Sequence, residues 1–181
     1  KVAESIASYL NLPWIFIPYT NKNQKNIMLS QEYSEFKNFS DTLTSIHFPQ
    51  DFQAIKYLKE NKLIPIDSVI VNGQSGDFIS GNHIPDVEGN IENITMQYIA
   101  KHYKVWKALL SNNSNYIENI MNKRIKAYGK IDEKNIYAIY ERMEFEDRQI
   151  KYVINGQRTY EYFGYEWRLP LWDSLYLDFW Q

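Results

Sequence analysis

No cysteine occurs among the 181 residues, which excludes disulfides, thiolate zinc sites and a cysteine nucleophile within this chain. Nor is there an excess of charge of one sign. The formal net charge is -2, so no global basic field invites nucleic acid. Only Lys123-Arg124-Ile125-Lys126 approaches a basic cluster, and a solvated helix face explains it. No apolar run reaches the length of a membrane span, and no signal peptide is visible. The expectation is a soluble, cytoplasmic protein with no nucleic-acid or membrane partner. The sequons at Asn38, Asn93 and Asn112 are then chance matches in an Asn-rich chain. Internal repeats and linker-like low-complexity tracts are missing too.

What is present is enough chain for one domain with a proper core. Aromatics are abundant at 16%, with 15 Tyr and 5 Trp, and core packing is their default use. Val2, Ile6 and Leu10 recur at helical spacing, and Asn11-Leu12-Pro13 stops that helix. Trp14-Ile15-Phe16-Ile17 is a continuous apolar run, the pattern of a strand covered on both faces. Thr20 to Asn26 is polar and reads as a surface loop. Tyr33, Phe36 and Phe39 are spaced for a helix, which Ser40-Asp41 could restart. Phe52, Ile55 and Leu58 predict a clearer amphipathic helix over 51–61. Ile64-Pro65-Ile66 leads into a second strand, Val69-Ile70-Val71. Residues 86–90 are acidic and flexible in composition. Beyond them the pattern is helical: 91–110, then a helix with Ser114 as N-cap ending near Gly129, then 132–154. The order strand, helices, strand, Gly-rich loop predicts a doubly wound α/β fold with a parallel sheet. Two parts are expected, 1–85 as a partial α/β nucleotide-binding part and 86–181 as a helical part completing the same domain.

The chain is organised around the stretch from Ser68 to His83. After Val69–Val71 come three glycines, Gly73, Gly76 and Gly81, spread among small polar residues. Ligands of open α/β sheets bind outside the carboxyl ends of strands. Gly73 and Gly76 let backbone approach a phosphate, with Gln74 and Ser75 between them, and Asp77 offers hard oxygens to Mg²⁺. The alternative is that Ser75 or Asp77 caps a short helix and the glycines serve a turn. His47, His83 and His102 are isolated, and surface or core duty is the expectation for each.

The segment from Gln157 to Asp173, Q-R-T-Y-E-Y-F-G-Y-E-W-R-L-P-L-W-D, resembles the C-terminal signature of the asparagine synthetase family, D-R-M-S-M-A-x-x-x-E-x-R-x-P-F-L-D. Arg158, Glu166, Arg168, Pro170 and Asp173 fall on matching positions. Asn72 to His83 then corresponds to the family's S-G-E-G-A-D-E-L-F-G-G-Y, keeping Gly73, Asp77 and Gly81. The resemblance implies a fold of the N-type ATP pyrophosphatase kind. It also implies an ATP- and Mg²⁺-dependent carbon–nitrogen ligase that adenylates a small-molecule carboxylate, after which a nitrogen nucleophile forms the amide. Aspartate and a sugar carboxylate are the two acceptor classes, and a homodimer is left open. Family members begin with a strand and an S-G-G-x-D-S pyrophosphate loop, which no stretch here supplies. A preceding segment of the same polypeptide is therefore expected, and the fragment alone is expected to be inactive.

Departures from the family pattern matter chemically. The family's Glu becomes Gln74, which can hydrogen-bond but cannot act as a general base. The family's catalytic Lys, two residues before the D-R pair, becomes Asn155. Lys151, one helical turn earlier, could take its place. By the resemblance, Lys151 and Arg158 are the catalytic candidates, Arg158 facing phosphate because guanidinium forks match its oxygens. Gly73, Gln74, Ser75 and Gly76 are nucleotide-binding candidates and Asp77 the metal ligand. Glu166 and Arg168 read either as a structural ion pair joining the helical half to the sheet or as substrate contacts. Asp173 reads as the N-cap of 174–180. The rival reading is a degenerate, non-catalytic scaffold or sugar-binding module.

Overall fold

The structure, a computed structural model, describes residues 2–85, 91–103, 107–130 and 135–180. The acidic stretch expected at 86–90 lies outside the described residues. The chain divides into two compact units, Lys1–Ile70 with Asn155–Arg168, and Val71–Ile154 with Leu169–Gln181.

The first unit is built on helices α1 (Val2–Tyr9), α2 (Asn21–Met28), α3 (Gln31–Ser40) and α4 (Phe52–Glu60). Where a loop is expected, α2 forms, because Thr20 caps it: the Asn23 N–H donates to the Thr20 hydroxyl at 3.2 Å. Ser30 does the same for α3 through the Tyr33 N–H, also at 3.2 Å. Tyr33 and Phe36 recur on one face of α3 and meet Phe52 and Ile55 from α4. The remaining core residues arrive from the end of the chain, where α9 (Ile154–Gly156) and α10 (Arg158–Tyr162) lead to Phe163 and Tyr165. Phe52 lies 4.9 Å from Phe36, 5.0 Å from Phe163 and 5.1 Å from Tyr33, the last edge-on at 88°. Such ring pairs add to simple burial of apolar area. The Tyr160 hydroxyl donates to Asp51 at 2.6 Å and fixes the start of α4 to α10.

The parallel α/β sheet expected from the sequence is not formed. The described residues are mostly helical and carry one two-stranded parallel sheet, β1 (Val69–Val71) with β2 (Glu166–Arg168). No strand forms over 14–17, where Phe16 is 75% exposed. An apolar run becomes a buried strand only with neighbours on both edges and cover on both faces, and here it has none. β1 itself is exposed at Val69 and Val71 and half-buried at Ile70. The pattern of residues was strand-like, but the pairing partners that make a sheet are absent among the described residues.

The second unit contains the short α5 (Gly76–Ile79), then α6 (Ile91–His102), α7 (Lys107–Ala127) and α8 (Ile136–Glu144). Residues 145–153 widen into a π-helix, and a 3₁₀ turn (Pro170–Trp172) precedes α11 (Ser174–Trp180). The core is largely aliphatic: Ile94, Ile99, Ile117, Met121, Ile125, Ile139 and Met143 close around Tyr98 and Tyr140. The helix start expected at Ser114 is met to within one residue: α7 is two helical segments joined across a kink at Asn113, whose backbone (φ -138, ψ 18) is not helical. Gly129, just past α7, has φ +112 and ends it as expected.

Candidate functional site

The loop after β1 is shaped by its own side chains. The Gln74 N–H donates to Asn72 Oδ1 at 2.9 Å, an Asx turn that reverses the chain. The residue in the left-handed region is Ser75 (φ 78), not either flanking glycine. A serine there is strained, so something must hold it. Its hydroxyl donates to Gln149 Oε1 at 2.9 Å and accepts from Trp172 Nε1 at 2.7 Å. Ser75 and Gln149 are both buried. Trp172 in turn stacks on Phe145 at 5.3 Å and 30°, and Phe145 lies 6.2 Å from Phe78 of α5. The π-helix supplies both Phe145 and Gln149. Ser75 stands at the cap position of α5 without making a side-chain cap bond.

Neither glycine is needed for backbone geometry. A Cβ on Gly73 would meet nothing within 4 Å, and one on Gly76 would only touch Leu171 at 3.5 Å. Open space over Gly73 is compatible with close approach of a ligand.

Asp77 opens α5 with its side chain 62% exposed, 3.4 Å from His83 Nε2. That same nitrogen lies 3.0 Å from Arg148 Nη1. A guanidinium can only donate, so His83 accepts at Nε2 and carries its proton on Nδ1. Burial, with the nearby Arg148 charge adding to it, pushes the His83 pKa below the ordinary histidine value, which agrees with a neutral ring. With no proton on Nε2, Asp77 cannot be hydrogen-bonded there, and its carboxylate faces solvent. Lys101 anchors the other side of His83, donating to its backbone carbonyl and pairing with the fully buried Glu144 at 2.9 Å. His102 also bonds Glu144. Burial alone would raise the Glu144 pKa, but these two partners outweigh it and the carboxyl is held below the ordinary range.

The other expected site residues fall as follows. Lys151 is exposed and pairs with Asp147 one turn back on the π-helix. Asp147 also takes Arg124 at 2.5 Å, and Arg124 reaches Glu146 at 2.6 Å. Asp173 does cap α11: its Oδ1 accepts from the N–H groups of Leu175 at 3.0 Å and Tyr176 at 3.3 Å. Those residues belong to the second unit. Arg158, Glu166 and Arg168 belong to the first. There Arg158 lies with its guanidinium carbon 4.5 Å from the centre of the Phe39 ring. Glu166 and Arg168 pair at 3.1 Å, two residues apart on β2 and largely exposed, so their ion pair ties β2 only to itself. His47 is half-buried at the edge of the ring cluster, its Nε2 2.8 Å from the Tyr33 hydroxyl.

Arg148, Gln149 and Trp172 are the loop's partners that sequence reasoning missed. Gln149 carries a usable signal, since it lies four residues from Phe145 on an apolar face and a polar residue there needs a partner. A separate groove of about 510 Å³ in the second unit is lined by Phe78, Phe145, Trp180, Glu141, Arg142 and Asp178 among others. Burial raises the Glu141 pKa there.

Among the described residues no three His, Cys, Asp or Glu side chains gather as a metal site. One exposed carboxylate is nevertheless what Mg²⁺ uses when substrate phosphates and water supply its other oxygens, so Asp77 fits that manner of binding. No described helix is long and apolar enough to cross a membrane. Against known protein families, curated proteins and solved structures, the chain finds no match.

Proposed function

We propose that the chain is part of an ATP-dependent, amide-forming synthetase of the asparagine synthetase kind, one that adenylates a carboxylate and transfers nitrogen to it. The acceptor is aspartate or a sugar carboxylate. The supporting observation is the Asn72–His83 loop. Its turn is held through Ser75, Asp77 is left exposed, and the space over Gly73 is open. A loop built so rigidly around an uncommitted carboxylate suits Mg²⁺-assisted phosphate chemistry, in which preorganised charge lowers the barrier. The S-G-G-x-D-S loop that would cradle the pyrophosphate is not among the 181 residues, so the reading assigns this chain a share of the site and not the whole activity.

A second reading, a non-catalytic scaffold or sugar-binding module, is favoured by Asn155. At the position of the family's Lys stands a buried amide that donates to Ser45 Oγ at 3.4 Å, a packing role with no charge to offer. ATP–pyrophosphate exchange with Mg²⁺, run on the whole polypeptide that carries this chain against aspartate and a panel of uronic acids, separates the two. Exchange that needs one acceptor and is lost in Asp77→Ala supports the synthetase. Absence of both exchange and nucleotide binding supports the module.

A further inference from the structure

We propose that the groove lined by α8, the start of the π-helix and α11 binds a small organic ammonium ion, one cationic nitrogen carried on an aromatic or aliphatic body. The proposal is independent of the synthetase reading and calls on neither nucleotide nor metal. The groove measures about 510 Å³ and lies wholly within the second unit, a size that suits a small molecule. Glu141 and Phe145, four residues apart, share one wall, and Leu177 and Asp178 stand on the α11 wall. Phe78 and Trp180 complete its apolar lining.

The rings are held in place by the protein itself. Phe78 is buried and lies 6.2 Å from Phe145, which stacks on Trp172 at 5.3 Å. The Trp172 indole is fixed in turn by its bond to Ser75 Oγ at 2.7 Å. A ligand therefore meets a surface already ordered, which lowers the entropic cost of binding. Trp180 is exposed, so covering it is a gain.

The polar lining is unbalanced. Among the described residues, the carboxylates of Glu141 and Asp178 make no hydrogen bond or ion pair. Arg142, the cation at the groove, is committed outside it: its Nε donates to Glu146 at 2.9 Å, and its guanidinium carbon lies 4.4 Å from the centre of the Tyr128 ring. Glu144 and Glu146, which have cationic partners, are held below the ordinary carboxylate range. Glu141 has none, and burial shifts it upward.

Complementarity then selects the occupant. An anion would be repelled by both carboxylates. A bare metal ion would leave the rings unused and finds no group of three acidic or histidine side chains among the described residues. An uncharged apolar molecule would cover the rings and leave Glu141 unanswered. A cationic nitrogen on an apolar body meets both demands, its N–H groups donating to the carboxylates and its body lying on Phe145 and Trp180.

The test is calorimetric titration of the 181-residue chain with phenethylammonium, beside the uncharged phenethyl alcohol and the anionic 3-phenylpropionate. Saturable uptake of the amine is expected at millimolar concentration or tighter, the range open to so small a ligand. The alcohol should bind about tenfold more weakly and the anion not at all. Glu141→Gln, which keeps size and shape, should weaken the amine about tenfold and leave the alcohol unchanged. Asp178→Asn, at an exposed carboxylate, should weaken the amine about threefold, and Trp180→Ala should weaken amine and alcohol alike. Lys123→Ala, exposed on α7, should alter neither. No saturable uptake of the amine, or equal uptake of amine and alcohol, overturns the assignment. So does a Glu141→Gln variant that holds the amine as tightly as the unaltered chain, or one that loses amine and alcohol together.

Discussion

The two units solve the problem of a small core by opposite means. The first relies on rings: Tyr33, Phe36, Phe52, Tyr160, Phe163 and Tyr165 supply nearly all of its buried cluster, and its ion pairs, half-buried at Lys56–Glu32 and exposed at Glu166–Arg168, stay outside that cluster. The second buries aliphatic side chains and then adds a charged layer along the π-helix, with Arg124, Glu146, Asp147, Tyr128 and Arg142 in one network. Ring packing depends weakly on pH and steeply on shape. A charged layer depends on both partners remaining ionised. The candidate loop sits in the unit with the charges, where a protein can tune a binding group, and the ring-built unit carries only Arg158, Glu166 and Arg168 of the expected residues.

Removing a ring should break the first unit most. Phe52 touches four other rings, and Phe52→Ala should cost about 4 kcal/mol, read as a lowered urea midpoint in the fluorescence of Trp167. A loss under about 1 kcal/mol would mean that the cluster collapses around the gap and does not hold the unit.

Acid should separate the units next. Burial disfavours charged Glu146, but hydrogen bonds from Arg124, Arg142 and Tyr128 prevail and hold its pKa down to about 2. The unfolded chain has the ordinary carboxylate value, so the stabilisation is complete above roughly pH 4.5 and disappears as pH falls towards 2. Urea midpoints reported by Trp172 should therefore fall over that window, and Glu146→Gln should flatten the profile. An identical slope in the variant would assign the acid sensitivity elsewhere.

The smallest effect should come from Arg168→Ala. Its pair with Glu166 is solvent-exposed, and a change of no more than about 0.5 kcal/mol is expected in the same denaturation assay. A larger loss would show that β2 needs the pair to stay beside β1.

The sequence carried the helices whose signals are local. Phe52, Ile55 and Leu58 mark α4, Gly129 ends α7, and Asp173 caps α11 because a carboxylate one residue before a helix finds free N–H groups. It misled over the sheet. Val69–Val71 does form a strand, but Trp14–Ile17 has the same apolar character and does not, since pairing is decided by distant segments that residue pattern does not encode. The loop was partly legible in the same way. Its glycines and Asp77 were visible, whereas the supports of Ser75 lie 74 and 97 residues away, and no local signal marks a serine as the left-handed residue.

The discontinuity of the first unit sets an order of assembly on the ribosome. Residues up to 70 emerge first, yet Tyr160, Phe163 and Tyr165 complete their core. At ordinary synthesis speed the earlier rings wait roughly 4 to 17 seconds for those partners. Meanwhile the intervening 71–154 segment has already left the exit tunnel with most of its own core in hand. The amino-terminal part of the chain is thus the later to mature. Phe36 and Phe52 are the nascent surface that a holding chaperone would meet during the wait.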